Sequence, residues 1–359
     1  MESLQNLKKR LKSVNNVGQI TKAMELVAAT KMRKSQEIAL ASRPYAFAAL
    51  DFLATVSALE GQKLPELFSA PGGPASGGEV RNVKRVLFVL VSSDKGLAGA
   101  FNSSVFKKFE LHNKEYAKRR PDKSPKGYFD GPATISPPAR NADSIAAAGG
   151  KASLGGEGHL YVAVGEKSSA YLNKKGFNVL KKFTSVGDYT TPEQVKPLVD
   201  FIVKGYLAKD FDRVIIISTH FRSALKQEPH VRRVLPIDYD HIADTIKRII
   251  PERGKFADLI KEHNINFVLD KKKLKEYTIE PKPEKVLEKL AKHLFFMQVY
   301  HLILEANASE HSARRMAMKT ASDNAKDLGD KLNLQYNKSR QAKITTEISE
   351  ISAGAEALQ

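Results

Sequence analysis

Residues 92–102, SSDKGLAGAFN, are the part of this sequence that most resembles a phosphate-binding loop. They follow a β-branched run and precede a predicted helix, which is where phosphate-binding loops occur. The dinucleotide-binding pattern GxGxxG needs three glycines, whereas this segment has Gly96 and Gly99, and it also lacks the Gly-Lys-Ser/Thr of a Walker loop. We therefore expect a tight turn between a strand and a helix, with no bound nucleotide or other cofactor.

Residue patterns for metal binding and catalysis are sparse. The nine histidines are scattered, and none belongs to an HExxH motif. His301 and Glu305 are four residues apart on a predicted helix, and without a third ligand nearby we interpret them as a helix-surface pair. Asp94 and Asp188 could act as general acids, but neither has a partner carboxylate at a suitable spacing, so we assign both to polar loops. The absence of cysteine excludes thiolate catalysis and Cys-ligated zinc.

The chain is strongly basic. Its 359 residues include 58 Lys+Arg and 40 Asp+Glu, a formal charge of +18, which favours a polyanionic partner. The excess is +4 in residues 1–60, +13 in 61–283 and +1 in 284–359, and no RNA-binding aromatic motif or zinc finger accompanies it. A basic coiled-coil protein that binds nucleic acid or acts as a scaffold is therefore an alternative function.

Proline and glycine are nearly excluded from both ends of the chain. Of 16 prolines only Pro44 lies in residues 1–60, and none lies in 284–359. Of 22 glycines only Gly18, Gly329 and Gly354 lie in these segments. Because these residues are the main helix breakers, we predict helices over residues 3–59 and 284–357. Helices of about 85 and 110 Å must pair with each other or with a partner.

Apolar residues recur at helical spacing along both predicted helices. In the first helix the stripe is predicted to pass through Leu4, Leu7, Leu11, Val14, Val17, Ile20, Met24 and Val27. In the second helix the stripe narrows to Ala313, Ala317, Ala321 and Ala325. Small residues at this spacing allow two helix axes to approach closely, and an antiparallel helical hairpin accounts for the pattern.

The middle of the chain has a different pattern. Short β-branched runs predict buried strands at residues 83–91, 159–164 and 213–218. Helical stretches are predicted at about 100–118, 166–176 and 192–209. Strands alternating with helices indicate an α/β domain with a largely parallel sheet, inserted between the two long terminal helices.

Four segments, in this order along the chain, carry a family resemblance. They are residues 20–35 (ITKAMELVAATKMRKS, followed by SRPY at 42–45), 93–102 (SDKGLAGAFN), 317–324 (AMKTASDN) and 336–355 (YNKSRQAKITTEISEISAGA). The last segment contains an Ile-Thr-x-Glu core, a second acidic residue three positions on, and a Gly-Ala pair. Together the segments resemble the gamma subunits of F-type ATP synthases, and the resemblance covers the whole chain apart from its insertions.

The resemblance implies a long antiparallel coiled coil of the two terminal helices, which we call the shaft, with a small inserted Rossmann-like α/β domain. The implied domains are an N-terminal shaft helix (1–60), the α/β domain (61–283) and a C-terminal shaft helix (284–359). In this family the shaft is the non-catalytic central rotor inside a hexamer of alpha and beta subunits. Its foot, with the epsilon subunit, sits on the membrane-embedded c-ring, whose ion-driven rotation is coupled to ATP synthesis or hydrolysis. Nucleic acid is not among the implied partners.

The resemblance also implies contact residues on the shaft. Those facing the beta subunits would be Lys22, Met24, Lys31, Arg33, Lys34, Arg340, Gln341, Thr345 and Glu347. The residues entering an apolar bearing at the top of the shaft would be Ile344, Ile348, Ile351 and Leu358. Neither set includes a catalytic, cofactor-binding or metal-ligating residue.

The chain departs from typical bacterial members of the family in its length. Extra residues fall at about 70–80, 119–158 and 240–265. The second insertion coincides roughly with the regulatory dithiol of chloroplast homologues, and without cysteine that redox switch cannot exist here. No apolar run reaches the ~18 residues that span a bilayer. Because no signal or transit peptide precedes the first family motif, we expect a peripheral protein on the cytoplasmic side of the cell inner membrane.

Overall fold

The computed structural model describes residues 3–41, 66–68, 85–118, 158–186, 188–237 and 282–356. In chain order its elements are α1 (Leu4–Ala41), β1 (Val86–Val91), α2 (Phe101–Lys118), β2 (His159–Val164), α3 (Glu166–Lys174), β3 (Val179–Phe183), α4 (Pro192–Leu207), β4 (Arg213–Phe221), β5 (Gln227–Leu235) and α5 (Pro283–Glu356). The fold is a mixed sheet with helices on both faces, joined to a pair of long helices.

The five strands form one sheet in the order β3-β2-β1-β4-β5. The first four are parallel, and β5 runs antiparallel to β4. β1 is central, and its Val86 is level with His159 of β2 and with Arg213 of β4. Strands covered on both faces consist of nearly continuous apolar residues, as β1 does. The prediction of a largely parallel sheet is confirmed.

The two edge strands, β3 and β5, are absent from the sequence prediction. β3 contains the exposed residues Lys181 and Lys182, and β5 contains the half-buried Arg232 and Arg233. Edge strands tolerate charged side chains because one edge and part of one face meet solvent. Neither strand therefore has the uninterrupted apolar run that identifies the central strands.

Alternate residues of the central strands contribute to two separate apolar cores. On one face Leu87 and Val89 pack with α4 and with the first part of α5. On the other face Phe88 and Tyr161 pack with Phe109 of α2 and with α3. We define the sheet domain as the described part of residues 85–237. The beginning of α5 packs into the core of this domain.

α5 contains 74 residues, which corresponds to about 110 Å. Its residues 298–312 are buried on all sides. Every residue from 340 to 355 is exposed. One continuous helix therefore begins inside the sheet domain and ends in solvent.

α1 runs antiparallel to α5. A Cβ atom placed on Gly18 would lie 3.4 Å from the Cβ of Ala325, whereas Gly329 lies opposite Val14 and Asn15. Residue numbers therefore increase along α5 as they decrease along α1, which makes the two helices antiparallel. The close approach predicted from the alanine stripe is therefore present at Ala325.

The predicted apolar stripe on α1 is wrong at three of its four members beyond Val14, the exception being the half-buried Met24. Three of its members are largely exposed: Val17 at 49%, Ile20 at 59% and Val27 at 53%. The face against α5 instead contains Gly18, Thr21, Glu25 and Ala28. The true seam is displaced by one residue, which is about 100° around a helix. Since α5 presents small residues at Ala321 and Ala325, small residues on α1 allow closer packing than the larger apolar side chains would.

Several predicted features lie outside the described residues. These are the helix over residues 42–59, the insertions at about 70–80 and 240–265, residues 119–157 and Leu358. Among the helices that the structure describes, none combines the length and the apolar character needed to cross a membrane.

The close contact at Gly18 predicts the effect of a larger side chain. Gly18→Val would place methyl groups against Ala325 and should lower the free energy of unfolding by about 1–3 kcal/mol. Gly354→Val is the matched control, because no atom lies within 4 Å of a Cβ at Gly354. It should change stability by less than about 0.5 kcal/mol. Equal losses of stability in the two variants, measured by urea denaturation, would contradict the close contact between Gly18 and Ala325.

Candidate functional site

The carboxyl ends of the parallel strands are where an α/β sheet of this kind would bind a nucleotide, and here the chain fills that position itself. Asp94 accepts hydrogen bonds from Glu166 N at 3.0 Å and from Ser185 N at 3.1 Å. The next N–H groups of α3 are also used, because Lys167 N donates to Ser93 O and Ser168 N donates to Ser92 Oγ at 2.6 Å. A free helix N-terminus attracts phosphate through such groups. The N-terminus of α3 is already saturated by a carboxylate of the chain.

The glycine turn between β1 and α2 contacts α5. A Cβ atom on Gly99 would lie 3.6 Å from the Cβ of Ala317 and 3.9 Å from Ala313 O. Gly99 has a φ of 56°, which glycine adopts without strain. The expectation of a tight turn is met, and the turn packs against the alanine stripe of α5.

His301 and Glu305 are not a helix-surface pair, so that interpretation is wrong. Both are buried, and Glu305 Oε2 lies 3.0 Å from His220 Nδ1 on β4 and 3.8 Å from Arg232 Nη2 on β5. Burial alone would raise the pKa of Glu305, but the hydrogen bond from His220 and the charges of Arg232, His220 and His301 outweigh it, and the net pKa is lowered. Within the described ranges, no three such side chains converge as metal ligands would.

A second polar cluster joins α1, α5 and the loop after β3. Lys31 Nζ lies 2.6 Å from Asp188 Oδ2, and His311 Nε2 lies 3.7 Å from Asp188 Oδ1. Arg314 extends the cluster, with Nη2 donating to Glu310 Oε1 at 2.6 Å and to Gly96 O at 3.3 Å. The shaft helices and two loops of the sheet domain therefore meet at one point.

His311 is neutral in this cluster. Its Nδ1 lies 3.2 Å from Arg314 Nη1, and because a guanidinium only donates, Nδ1 must accept. Burial lowers the pKa of His311 to about 4, and Arg314 and Lys31 act in the same direction, while Asp188 opposes them. Burial raises the pKa of Glu310, although Arg314 binds it.

The five predicted contact residues on α1 differ in their surroundings. Lys22, Arg33 and Lys34 are exposed, with Lys22 paired to Glu25 and Lys34 close to Glu37. Lys22 and Arg33 are eleven residues apart and share one face of the helix. Met24 is half-buried at the edge of the seam. Lys31 is half-buried and is bound to Asp188 within the chain.

The predicted contact residues on α5 lie on its projecting end. Arg340, Gln341, Thr345 and Glu347 are all exposed. Ile344, Ile348 and Ile351 are exposed by 46%, 59% and 72%. Their spacing of four and three residues places the isoleucines on one face.

The structure does not bring the two predicted sets together. Gly18 on α1 is level with Ala325, and Arg340 lies 15 residues further along α5, which is about 22 Å. The sets would therefore meet different parts of any partner that encloses the shaft.

Sequence reasoning missed the groups that join the shaft to the sheet domain. The sequence pattern places Asp188 in a polar loop and indicates no role for His220 or His311. Polar residues at helical spacing within an apolar stretch of α5, namely His301, Glu305 and Ser312, were the available signal.

Several cations of the sheet domain are paired within the chain and do not form a free basic surface. Such pairs are Lys175–Glu110, Lys182–Glu166, Arg222–Glu228 and Lys226–Glu228. This pairing provides no support for the alternative of a nucleic-acid-binding protein.

Comparison with known proteins gives a consistent family. A protein-family model described as ATP synthase matches residues 3–131 and 139–358. An ATP synthase gamma chain of Roseiflexus castenholzii is 32% identical over a 364-residue alignment that covers 100% of this chain and 99% of the relative. An ATP synthase gamma chain of Herpetosiphon aurantiacus is 33% identical over 366 residues, with the same coverage.

A solved structure has a similar fold. A chain in the structure of the Euglena gracilis mitochondrial ATP synthase, OSCP/F1/c-ring, rotational state 3, superposes with a TM-score of 0.54 at 15% sequence identity. The match covers 99% of this chain and 94% of that chain. At this identity the likeness concerns the fold alone.

The neutral state of His311 predicts a pH dependence. Its pKa in the folded chain, about 4, lies below the ordinary value of 6.5, so the unfolded chain takes up a proton first as the pH falls. The stability contributed by His311 is complete above the ordinary pKa and is lost as the pH falls towards 4. Between about pH 7 and pH 5 the parent should lose up to about 2 kcal/mol more than His311→Gln.

The measurement is the free energy of unfolding in urea at both pH values. His293→Gln, at an exposed histidine of the same helix, is the control and should lose as much stability as the parent. If His311→Gln also behaved like the parent, His311 would not be the buried neutral group described here.

Proposed function

This chain belongs to the family of ATP synthase gamma chains, so its function is that of the central rotor subunit, and we propose how its surfaces carry that function out. It is a non-catalytic component of the complex. Its partners are the alpha and beta subunits of the hexamer, the epsilon subunit and the c-ring. The proposal assigns a role to each part of the shaft.

The observation that carries this proposal is the form of α5. The helix is buried on all sides at residues 298–312 and fully exposed at residues 340–355. Residues 340–356 project about 25 Å beyond the level of the α1 N-terminus. Most of the stability of helices in proteins comes from packing, and a surrounding partner would supply that packing for this exposed end. A shaft that enters a hexamer meets this requirement.

The exposed isoleucines define the surface that the top of the hexamer would hold. Ile344, Ile348 and Ile351 form an apolar stripe that no described residue covers. Three large apolar side chains at this spacing are typical of a helix that lies in an apolar groove. We assign them, with Leu358, to the apolar bearing.

The polar contacts are assigned to two levels of the shaft. Lys22, Lys31, Arg33 and Lys34, with Met24 at the seam, would face acidic loops of the beta subunits near the sheet domain. Arg340, Gln341, Thr345 and Glu347 would make polar contacts higher up. Exposed charges give contacts that can be broken and remade as the shaft turns, because each is worth only about 1 kcal/mol.

We further propose the finer architecture. The paired helices form an antiparallel coiled coil, and the parallel part of the sheet with its helices forms a Rossmann-like domain inserted between them. The corresponding domains are residues 1–60, 61–283 and 284–359. Attachment to the membrane would be peripheral, through the c-ring, on the cytoplasmic side.

The direct test of the function is co-expression with alpha and beta subunits of the same complex. The purified assembly should contain one copy of this chain per hexamer. Failure of the chain to enter the hexamer, although alpha and beta subunits assemble, would contradict the proposal.

The role of Arg340 can be tested separately. Arg340→Ala should leave the isolated chain folded, because the side chain is exposed, and should lower ATP-driven ion pumping by the assembled complex. A loss of about fivefold corresponds to ~1 kcal/mol of contact energy. Lys331→Ala removes an exposed cation lower on the same helix and should have little effect. Full pumping by the Arg340 variant would remove this residue from the contact set.

A further inference from the structure

Asp188 occupies an unusual position in the loop between β3 and α4. It has a φ of 48°, in the left-handed region that aspartate and asparagine tolerate better than most residues. Its two carboxylate oxygens face different helices, with Oδ2 at 2.6 Å from Lys31 of α1 and Oδ1 at 3.7 Å from His311 of α5. One loop carboxylate therefore lies between both helices of the shaft.

The carboxylate is ionised at neutral pH. Burial alone would raise the pKa of Asp188, but the hydrogen bond and charge of Lys31, with the charge of Lys95, outweigh it and lower the pKa. The Lys31 side chain is 23% exposed and the Asp188 side chain 45% exposed. The pair is thus screened in part by solvent, and its specific geometry matters more than its strength.

The two helices depend on this pair to different degrees. α5 is held by the burial of residues 298–312 and by Arg314, which binds Gly96 O in the loop after β1. α1 packs on α5 with Gly18 and Ala28 beside the buried Thr21 and Glu25, and its Ala39 joins the apolar core of the sheet domain. Every described turn of α1 also has exposed residues, so no stretch of it is enclosed as residues 298–312 of α5 are. Among the described residues, the Lys31–Asp188 ion pair joins α1 to a loop of the sheet domain.

We propose that Asp188 is a positioning residue for torque transfer, which fastens α1 to the sheet domain so that both shaft helices turn together with it. This inference rests on the proposed function of the chain as a rotor. Lys31 then acts first within the chain, as the partner of Asp188. A polar pair of defined geometry adds to the packing of α1 and fixes its register, as a polar residue does in coiled coils.

The test uses the complete complex in sealed vesicles and measures both ATP hydrolysis and ions pumped per ATP. Asp188→Asn removes the charge while keeping a residue that tolerates the left-handed conformation. Ions pumped per ATP should fall, by about twofold, with hydrolysis less affected, because only one partly exposed ion pair is lost. Lys31→Gln and the Asp188→Asn/Lys31→Gln double variant should show the same loss, because all three break one interaction.

The matched control is Glu166→Gln. It breaks the Lys182–Glu166 pair, whose N···O distance is 2.7 Å and whose side chains are 41% and 51% exposed, but which joins β3 to α3 and does not touch the shaft. This variant should pump as the parent does. An equal loss in Glu166→Gln, an unchanged ratio in Asp188→Asn, or additive losses in the double variant would each overturn the inference.

Hydrogen exchange on the full chain provides a second readout. Amides of α1 around Lys31 should exchange about twofold or more faster in Asp188→Asn than in the parent, and those of Glu166→Gln should not. Unchanged exchange would mean that Asp188 does not hold α1. If the assembled parent complex fails to pump, the proposed function fails. If the parent pumps and the Asp188→Asn variant pumps equally well, only the inference about Asp188 fails.

Discussion

The burial of residues 298–312 of α5 is the constraint on which the rest of the structure depends. A helix enclosed by close-packed side chains cannot turn or slide alone, because its contacts would have to break together. Polar bonds add to this: Tyr300 Oη donates to Thr190 O at 3.0 Å, and Asn307 Nδ2 donates to Val186 O at 2.9 Å. Since α5 continues to Glu356, rotation of the sheet domain must become rotation of the exposed end.

The outer surface of the shaft follows from the narrow seam between its two helices. The seam between α1 and α5 is closest at the small residues Gly18 and Ala325, and the outer faces of both helices stay available to partners. A rotor must meet several partners in turn without being trapped by one of them. Exposed charges and a single apolar stripe suit this requirement better than a continuous apolar surface, which would favour one fixed orientation.

Much of the fold could be predicted from the sequence. Exclusion of Pro and Gly located α5 within one residue of its observed start, and β-branched runs located β1, β2 and β4. The edge strands were missed because charged residues interrupt their apolar pattern. The predicted seam on α1 differs from the observed seam by one residue, because the apolar periodicity favours Val17 and Ile20 whereas close packing against Ala325 requires Gly18. The links between shaft and sheet, such as Glu305 with His220 and Lys31 with Asp188, join residues far apart in the chain, and spacing cannot reveal them.

The most direct test of the rotor account is single-molecule observation of the sheet domain in the assembled complex. Because the chain has no cysteine, one cysteine introduced at the exposed Lys114 of α2 would be the only thiol of this chain and could carry a bead while the hexamer is fixed to a surface. The account predicts that the bead turns continuously in one direction while ATP is hydrolysed. A bead that stays still while hydrolysis continues at its normal rate would contradict it.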